Sequence, residues 1–204
     1  AQLLATSLLT MVLVACGNPN NGFSAGNDSI MVGGAGVKGP LINAGVTAYK
    51  LDVSKPSLKG ELVALGLTDG RAKLDLEIPS TYLDQGPFLI EYVDGSELSG
   101  DTPVIETLQT LLTNEQLSNG DAVYATPLST FAIRLALHMA DDRPGQHSLM
   151  ADLLGNEDGV ISEEEFNAGL DVARSIIKIA LGLGVLTNET DIFSTSPVLP
   201  SSEN

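Results

Sequence analysis

The chain has 204 residues, 43% of them apolar and 18% charged, which fits a globular protein and is too apolar for a disordered one. Ten basic against 26 acidic residues give a net charge of −16, which excludes nucleic acid and anionic lipid headgroups as electrostatic partners. Trp is absent and aromatics are 4%, against a sugar-stacking cleft, and a single Cys rules out an intramolecular disulfide.

Residues 1–16 carry no charge, and Leu3 to Val14 is a nearly continuous apolar run. A spanning helix needs ~20 apolar residues, so the run is too short for a permanent transmembrane anchor. It has the length of a secretory h-region. With no basic n-region or initiator Met before it, the numbered chain is expected to begin inside a longer signal. The run ends in Leu13-Val14-Ala15-Cys16. This resembles the lipobox of bacterial lipoproteins. The resemblance implies that residues 1–15 are removed as a signal peptide and that Cys16 becomes a lipidated N-terminus. Its partner would be membrane lipid, with acyl chains supplying ~0.8 kcal/mol per buried CH₂. Asn18, where an Asp would favour inner-membrane retention, points to the outer membrane of a cell envelope. Residues 17–29, rich in Gly, Asn and Ser, read as a flexible tether.

Residues 30–126 alternate short apolar stretches with turn residues such as Gly39-Pro40, Asp69-Gly70 and Asp94-Gly95. Val46–Leu51 reads as a half-buried strand, and Pro87–Val93, β-branched and aromatic, as the strongest strand. Leu62–Leu67 and Ala72–Ile78 read as a pair around Thr68–Arg71. The span 104–113 reads as a strand paired with Ala122–Ala125, although Leu108, Leu111 and Leu112 also share a helical face. Regular short strands with Gly-rich turns predict a β-sandwich. The run at 37–49, with its Gly39-Pro40-Leu41 turn before an alternating strand, and the later Thr68-Asp69 resemble a carboxypeptidase-regulatory-like (transthyretin-like) domain. Arg71, Ala72 and Lys73 stand where that family has Gly and an aromatic. The resemblance implies an Ig-like or transthyretin-like sandwich, commonly a non-catalytic spacer or binding module.

Residues 127–186 read as helical, and 187–204 as a polar tail. Thr126-Pro127 suits an N-cap followed by Pro at the first helical position. Leu128, Phe131, Ala132, Leu135, Ala136 and Met139 then recur at helical spacing. A short helix is expected over 147–154. A long one over 163–183 carries Phe166, Leu170, Ala173, Ile177 and Ala180 on one stripe. Val172, Ile176 and Ile179 widen that stripe and predict burial around most of the helix. The fold class is therefore α+β.

One stretch carries metal chemistry. Residues 154–166 resemble an EF-hand calcium loop. In that register Asn156, Asp158, Val160 (through its carbonyl), Ser162 and Glu165 are the candidate ligands. Gly159 takes the sharp-turn position, Ile161 the apolar eighth position, and Phe166 opens the exiting helix. The first position, normally Asp, is Leu154. Calcium takes ~6–8 oxygens, so binding requires solvent and is expected to be weak, on the order of 10⁻⁴–10⁻³ M. Asp152, Glu157, Asp158, Glu163, Glu164 and Glu165 cluster with no Lys or Arg among them, a repulsion that a divalent cation would relieve. Read without metal, Ser162 and Glu165 form a capping box, and acids in a first turn suit the helix dipole. Both readings stand on these residues.

His138 and His147 lie in no zinc-binding spacing. No nucleophile elbow, phosphate loop or dinucleotide fingerprint occurs. The sequence therefore predicts a lipid-anchored, non-catalytic envelope module with weak calcium binding and an unidentified envelope protein as partner. The alternative is an envelope hydrolase or accessory enzyme with its site between the β and helical regions.

Overall fold

The structure, a computed structural model, describes residues 29–37, 40–97, 106–141, 148–154, 158–181 and 191–193. In chain order these form β1 (Ser29–Gly36), β2 (Leu41–Ile42), β3 (Gly45–Leu51), β4 (Lys59–Leu67), β5 (Leu74–Pro79) and a 3-10 turn at Ser80–Tyr82. Then come β6 (Phe88–Val93), β7 (Ser96–Glu97), β8 (Thr107–Leu112), α1 (Asn114–Asn119) and β9 (Val123–Ala125). The helices α2 (Pro127–Ala140), α3 (Leu149–Leu154) and α4 (Glu163–Leu181) follow. The protein is mixed α+β and sandwich-like.

One sheet has the antiparallel order β4-β3-β6-β8, another the order β5-β1-β9, and β2 and β7 form a short ribbon. The period-two pattern of β3 and β6 points Val46, Ala48, Phe88, Ile90 and Tyr92 inward. There they meet Val32, Leu74, Leu76, Ile78 and Val123 of the facing sheet. Each such Leu, Ile or Phe contributes about 1.5–3 kcal/mol on burial. The opposite face of the four-stranded sheet presents Leu89 and Leu111. These join Ala132, Ile133, Ala136, Phe166, Leu170, Ala173 and Ile177 in a second core beneath the helices. The sheet is thus covered on both faces where β6 and β8 run, and β6 buries every residue from Phe88 to Tyr92.

Three expectations are corrected by this architecture. The pair Leu62–Leu67 and Ala72–Ile78 is not a hairpin. β4 pairs with β3 and β5 pairs with β1, leaving a single bridge between Thr68 and Leu74. The cause is the turn itself: Asp69 Oδ1 accepts from the N–H groups of Arg71 and Lys73, both at 2.8 Å, and Ala72 takes φ +61°. The chain therefore turns a corner between sheets. Nor does β8 pair with β9: β8 pairs antiparallel with β6, and β9 pairs parallel with β1. Helix α1 is the reason. Thr113 and Gln116 close a capping box, Gly120 ends the helix in the left-handed conformation, and the chain is carried across to the other sheet.

The third correction concerns the helix faces. In α2 the buried set is Ser129, Ala132, Ile133, Ala136, Met139 and Ala140, while Phe131 is exposed. Ser129 faces inward because its Oγ donates to the Gln109 carbonyl at 2.6 Å, and Thr130 Oγ1 accepts the Gln109 N–H at 2.8 Å. These hydroxyls cover the free edge of β8, a role a further strand would otherwise fill. In α4 the stripe Phe166, Leu170, Ala173 and Ile177 is buried as expected. Ala180 and Ile176 are exposed, however, and Ile179 is 85% exposed, so the helix is amphipathic and not buried round most of its surface. α2 and α4 approach closely at Gly169, where a Cβ would lie 2.8 Å from the Ala136 carbonyl oxygen.

Candidate functional site

The segment singled out for calcium joins α3 to α4. Leu154 ends α3 with a partly exposed apolar side chain and supplies no oxygen. Asn156 lies outside the described residues. Gly159 takes φ +79°, the left-handed conformation the sixth loop position requires. Asp158 Oδ1 accepts the Val160 N–H at 2.9 Å, and both residues are exposed. Ile161 drops into the helical core beside Phe166, which fixes the loop on the α4 side.

Ser162 and Glu165 are brought together. The Ser162 N–H and Oγ donate to Glu165 Oε2 at 2.7 and 2.8 Å, and the Glu165 N–H donates to Ser162 Oγ at 3.2 Å. This is a capping box, satisfying N–H groups at the start of α4. Glu165 is 0% exposed, and its second oxygen, Oε1, is buried without a hydrogen-bond partner among the described residues. A carboxylate oxygen left without a donor in low dielectric is unfavourable, and a cation or a water would complete it. The residues fit calcium in part: Glu165 Oε1, Asp158 and the Val160 carbonyl are oxygen donors, and the rest of a ~6–8 oxygen shell would have to be solvent or Asn156. Among the described residues no group of three or more His, Cys, Asp or Glu converges as a metal site.

Two further carboxylates are buried among the described residues, Asp141 at the end of α2 and Glu91 on β6, the latter 6% exposed. Glu91 Oε1 is paired with Lys59 Nζ, and its Oε2 accepts from Gln109 Nε2 at 2.9 Å. Lys59 in turn lies over the Tyr49 ring, 5.3 Å from its centroid. Among the described residues the acids with depressed pKa lie on the β half. Ser54 and Lys55 hold Asp52 below the usual carboxylate range, and the N–H groups of Lys73 and Arg71 do the same for Asp69. His138 is exposed on α2, while Cys16, His147 and Asp142 lie outside the described residues. Among the described residues no helix is long and apolar enough to cross a membrane.

The sequence reading passed over Arg174. It follows Leu170 by one helical turn, so it borders the buried stripe of α4, and its guanidinium lies over the Phe193 ring at 4.8 Å. A cation next to an apolar stripe is the one signal that could have marked it. No family model, curated protein or solved structure matches the chain.

Proposed function

We propose that this chain is a lipid-anchored, non-catalytic protein of the cell envelope. In this reading Cys16 carries the acyl anchor at the outer membrane and residues 17–29 hold the folded body clear of the bilayer. The β half serves as a transthyretin-like binding or structural module for an envelope partner. Residues 154–166 act as a degenerate EF-hand, in which calcium weakly stabilises the start of α4 through Glu165. The observation that supports a non-catalytic body is the use of two of its buried carboxylates. Glu91 is held by Lys59 and Gln109, and Glu165 caps Ser162, so both are engaged in holding the fold. The unpartnered Oε1 of Glu165 supports the calcium element.

Two experiments test this reading. Cys16→Ser should move the protein from the membrane fraction to the soluble one, and its persistence in the detergent phase would refute the anchor. For calcium, a Kd near 1 mM and 10 mM free ion give about 1.4 kcal/mol of stabilisation, a Tm rise of roughly 3–5 °C. Glu165→Gln keeps a capping side chain at the same position and should lose that rise. A melting curve that calcium and chelator leave unchanged in the wild type counts against the calcium element alone.

A further inference from the structure

The turn between β3 and β4, residues 52–58, is closed on itself by backbone bonds. The Asp52 N–H donates to the Leu58 carbonyl at 3.0 Å, the Lys55 N–H to the Asp52 carbonyl at 3.2 Å, and the Leu58 N–H to the Lys55 carbonyl at 2.8 Å. Its tip, Ser54–Ser57, is exposed, while Val53 and Leu58 are 8% and 0% exposed. These two side chains do not enter the core between the sheets. They belong to the core beneath the helices, together with Ile161, Phe166 and Leu170. At the surface Ser54 and Pro56 line, with Gly159, Val160 and Ile161, a cleft of about 140 Å³. A turn of the sheet is thus docked on the segment that joins α3 to α4. Leu58 carries the cost of that docking, with φ +60°. This left-handed region is unfavourable for a bulky residue, by roughly tenfold in the folding equilibrium, and free to glycine. Such a conformation persists only where the surroundings impose it. Here burial of the Leu58 side chain offsets the strain, so undocking the side chain also relaxes the backbone and is easier than burial alone would make it.

We propose that the 52–58 turn is a two-state strap, closed on residues 159–161 with Leu58 strained and open with Leu58 relaxed, and that it couples the helical half to strands β3 and β4. Relaxing Leu58 breaks its bonds to Asp52 and Lys55, so the turn opens as a unit. Whatever loosens the 159–161 side shifts this equilibrium, which is the physical form a coupling between the two halves takes. The strap needs no metal, and its test is run in chelator, so it fails or stands apart from the calcium reading.

The test is native-state hydrogen exchange of the purified full chain, read by NMR at the amides of Asp52, Lys55 and Leu58, with Ile90 of the inner strand β6 as the reference. The three turn amides should exchange through one common opening, at least about 100-fold faster than Ile90. Ile161→Ala, which thins the facing wall, should raise their exchange about tenfold. Strain is read separately by comparing two variants that both delete the Leu58 side chain. Leu58→Gly should be more stable than Leu58→Ala by about tenfold in the unfolding equilibrium, the reverse of the usual order of these residues. Turn amides that exchange only together with Ile90, or at unrelated rates, overturn the proposal. So does an Ile161→Ala protein with unchanged exchange at the turn, or a Leu58→Ala protein at least as stable as Leu58→Gly. Should the variants fail to fold, the exchange pattern of the wild type decides alone.

Discussion

Tyr92 offers a direct reading of what an unpaired polar atom does to this core. The ring is 0% exposed between the two sheets and packs closely against Gly36, where a Cβ would lie 2.9 Å from the Tyr92 Cδ1. The hydroxyl is buried with no hydrogen-bond partner among the described residues. Burial, and secondarily the neighbouring Tyr124, push the phenol pKa well above its ordinary value. Leaving such a hydroxyl unsatisfied costs about 1–3 kcal/mol, whereas deleting one oxygen from a ring that stays in place opens only a small void. Tyr92→Phe should therefore stabilise the protein by about 1 kcal/mol, a Tm rise of roughly 2–4 °C for a chain of this size. Urea unfolding at constant m is the assay. The pH dependence gives an independent sign. Because the folded pKa is raised, the stability linked to the neutral phenol is fully present below the unfolded pKa, near 10. It is lost as pH rises from there through the folded value. The wild type should thus weaken above about pH 10 more steeply than Tyr92→Phe. A Tyr92→Phe protein less stable than wild type by about 1 kcal/mol would show that the hydroxyl has a partner after all and refute the argument.

Three further outcomes follow from named contacts. Ser129→Ala removes the donor to the Gln109 carbonyl and the acceptor for the Thr126 N–H, both buried, and should cost about 2 kcal/mol in denaturant unfolding. A loss below about 0.5 kcal/mol would mean that α2 does not seal the β8 edge. Gly169→Ala gains about 1 kcal/mol of helix propensity but drives a methyl into the Ala136 carbonyl. A net loss of about 1–2 kcal/mol is expected, and a raised Tm would contradict the close approach of the helices. Asp69 has a depressed pKa, so its stabilising effect is present above the unfolded value near 3.9 and is lost as pH falls through the folded one. Melting curves between about pH 5 and 2 should be flatter for Asp69→Asn than for the wild type, and parallel curves would sink the linkage.

Where local pattern and tertiary demand agree, the sequence is legible. Thr126-Pro127 announces the start of α2, the alternation at Val46–Leu51 marks β3, and the stripe from Phe166 to Ile177 marks the buried face of α4. Pairing is less legible because strands are local and their partners are not. β4 and β5 are neighbours in sequence, yet the side-chain turn of Asp69 sends them to different sheets. The inward turn of Ser129 is hidden for a related reason. A hydroxyl on a helix reads as solvent-facing until the edge of β8 is known to need covering. Of the loop residues, Ser162 and Glu165 meet as the spacing requires, because the capping box is itself a local rule. Arg174 carries no motif, since its chemistry arises from Phe193 and Leu111, which lie far from it in the chain.

Helix α4 carries both Glu165 and Arg174, and its packing decides how they relate. Glu165 and Arg174 stand nine residues apart, about 13 Å along the helix at 1.5 Å per residue. Between them Phe166, Leu170 and Ala173 are buried against α2 and the sheet, so the intervening turns cannot shift without opening that core. Glu165 acts on the first turn, where the dipole is felt, and that influence fades within a turn. The Arg174 guanidinium is fixed instead by Phe193 and Asp171. Substitutions at Glu165 and Arg174, this far apart with no shared partner, should therefore add within about 0.5 kcal/mol in denaturant unfolding, and a larger coupling would show that the helix moves as a unit.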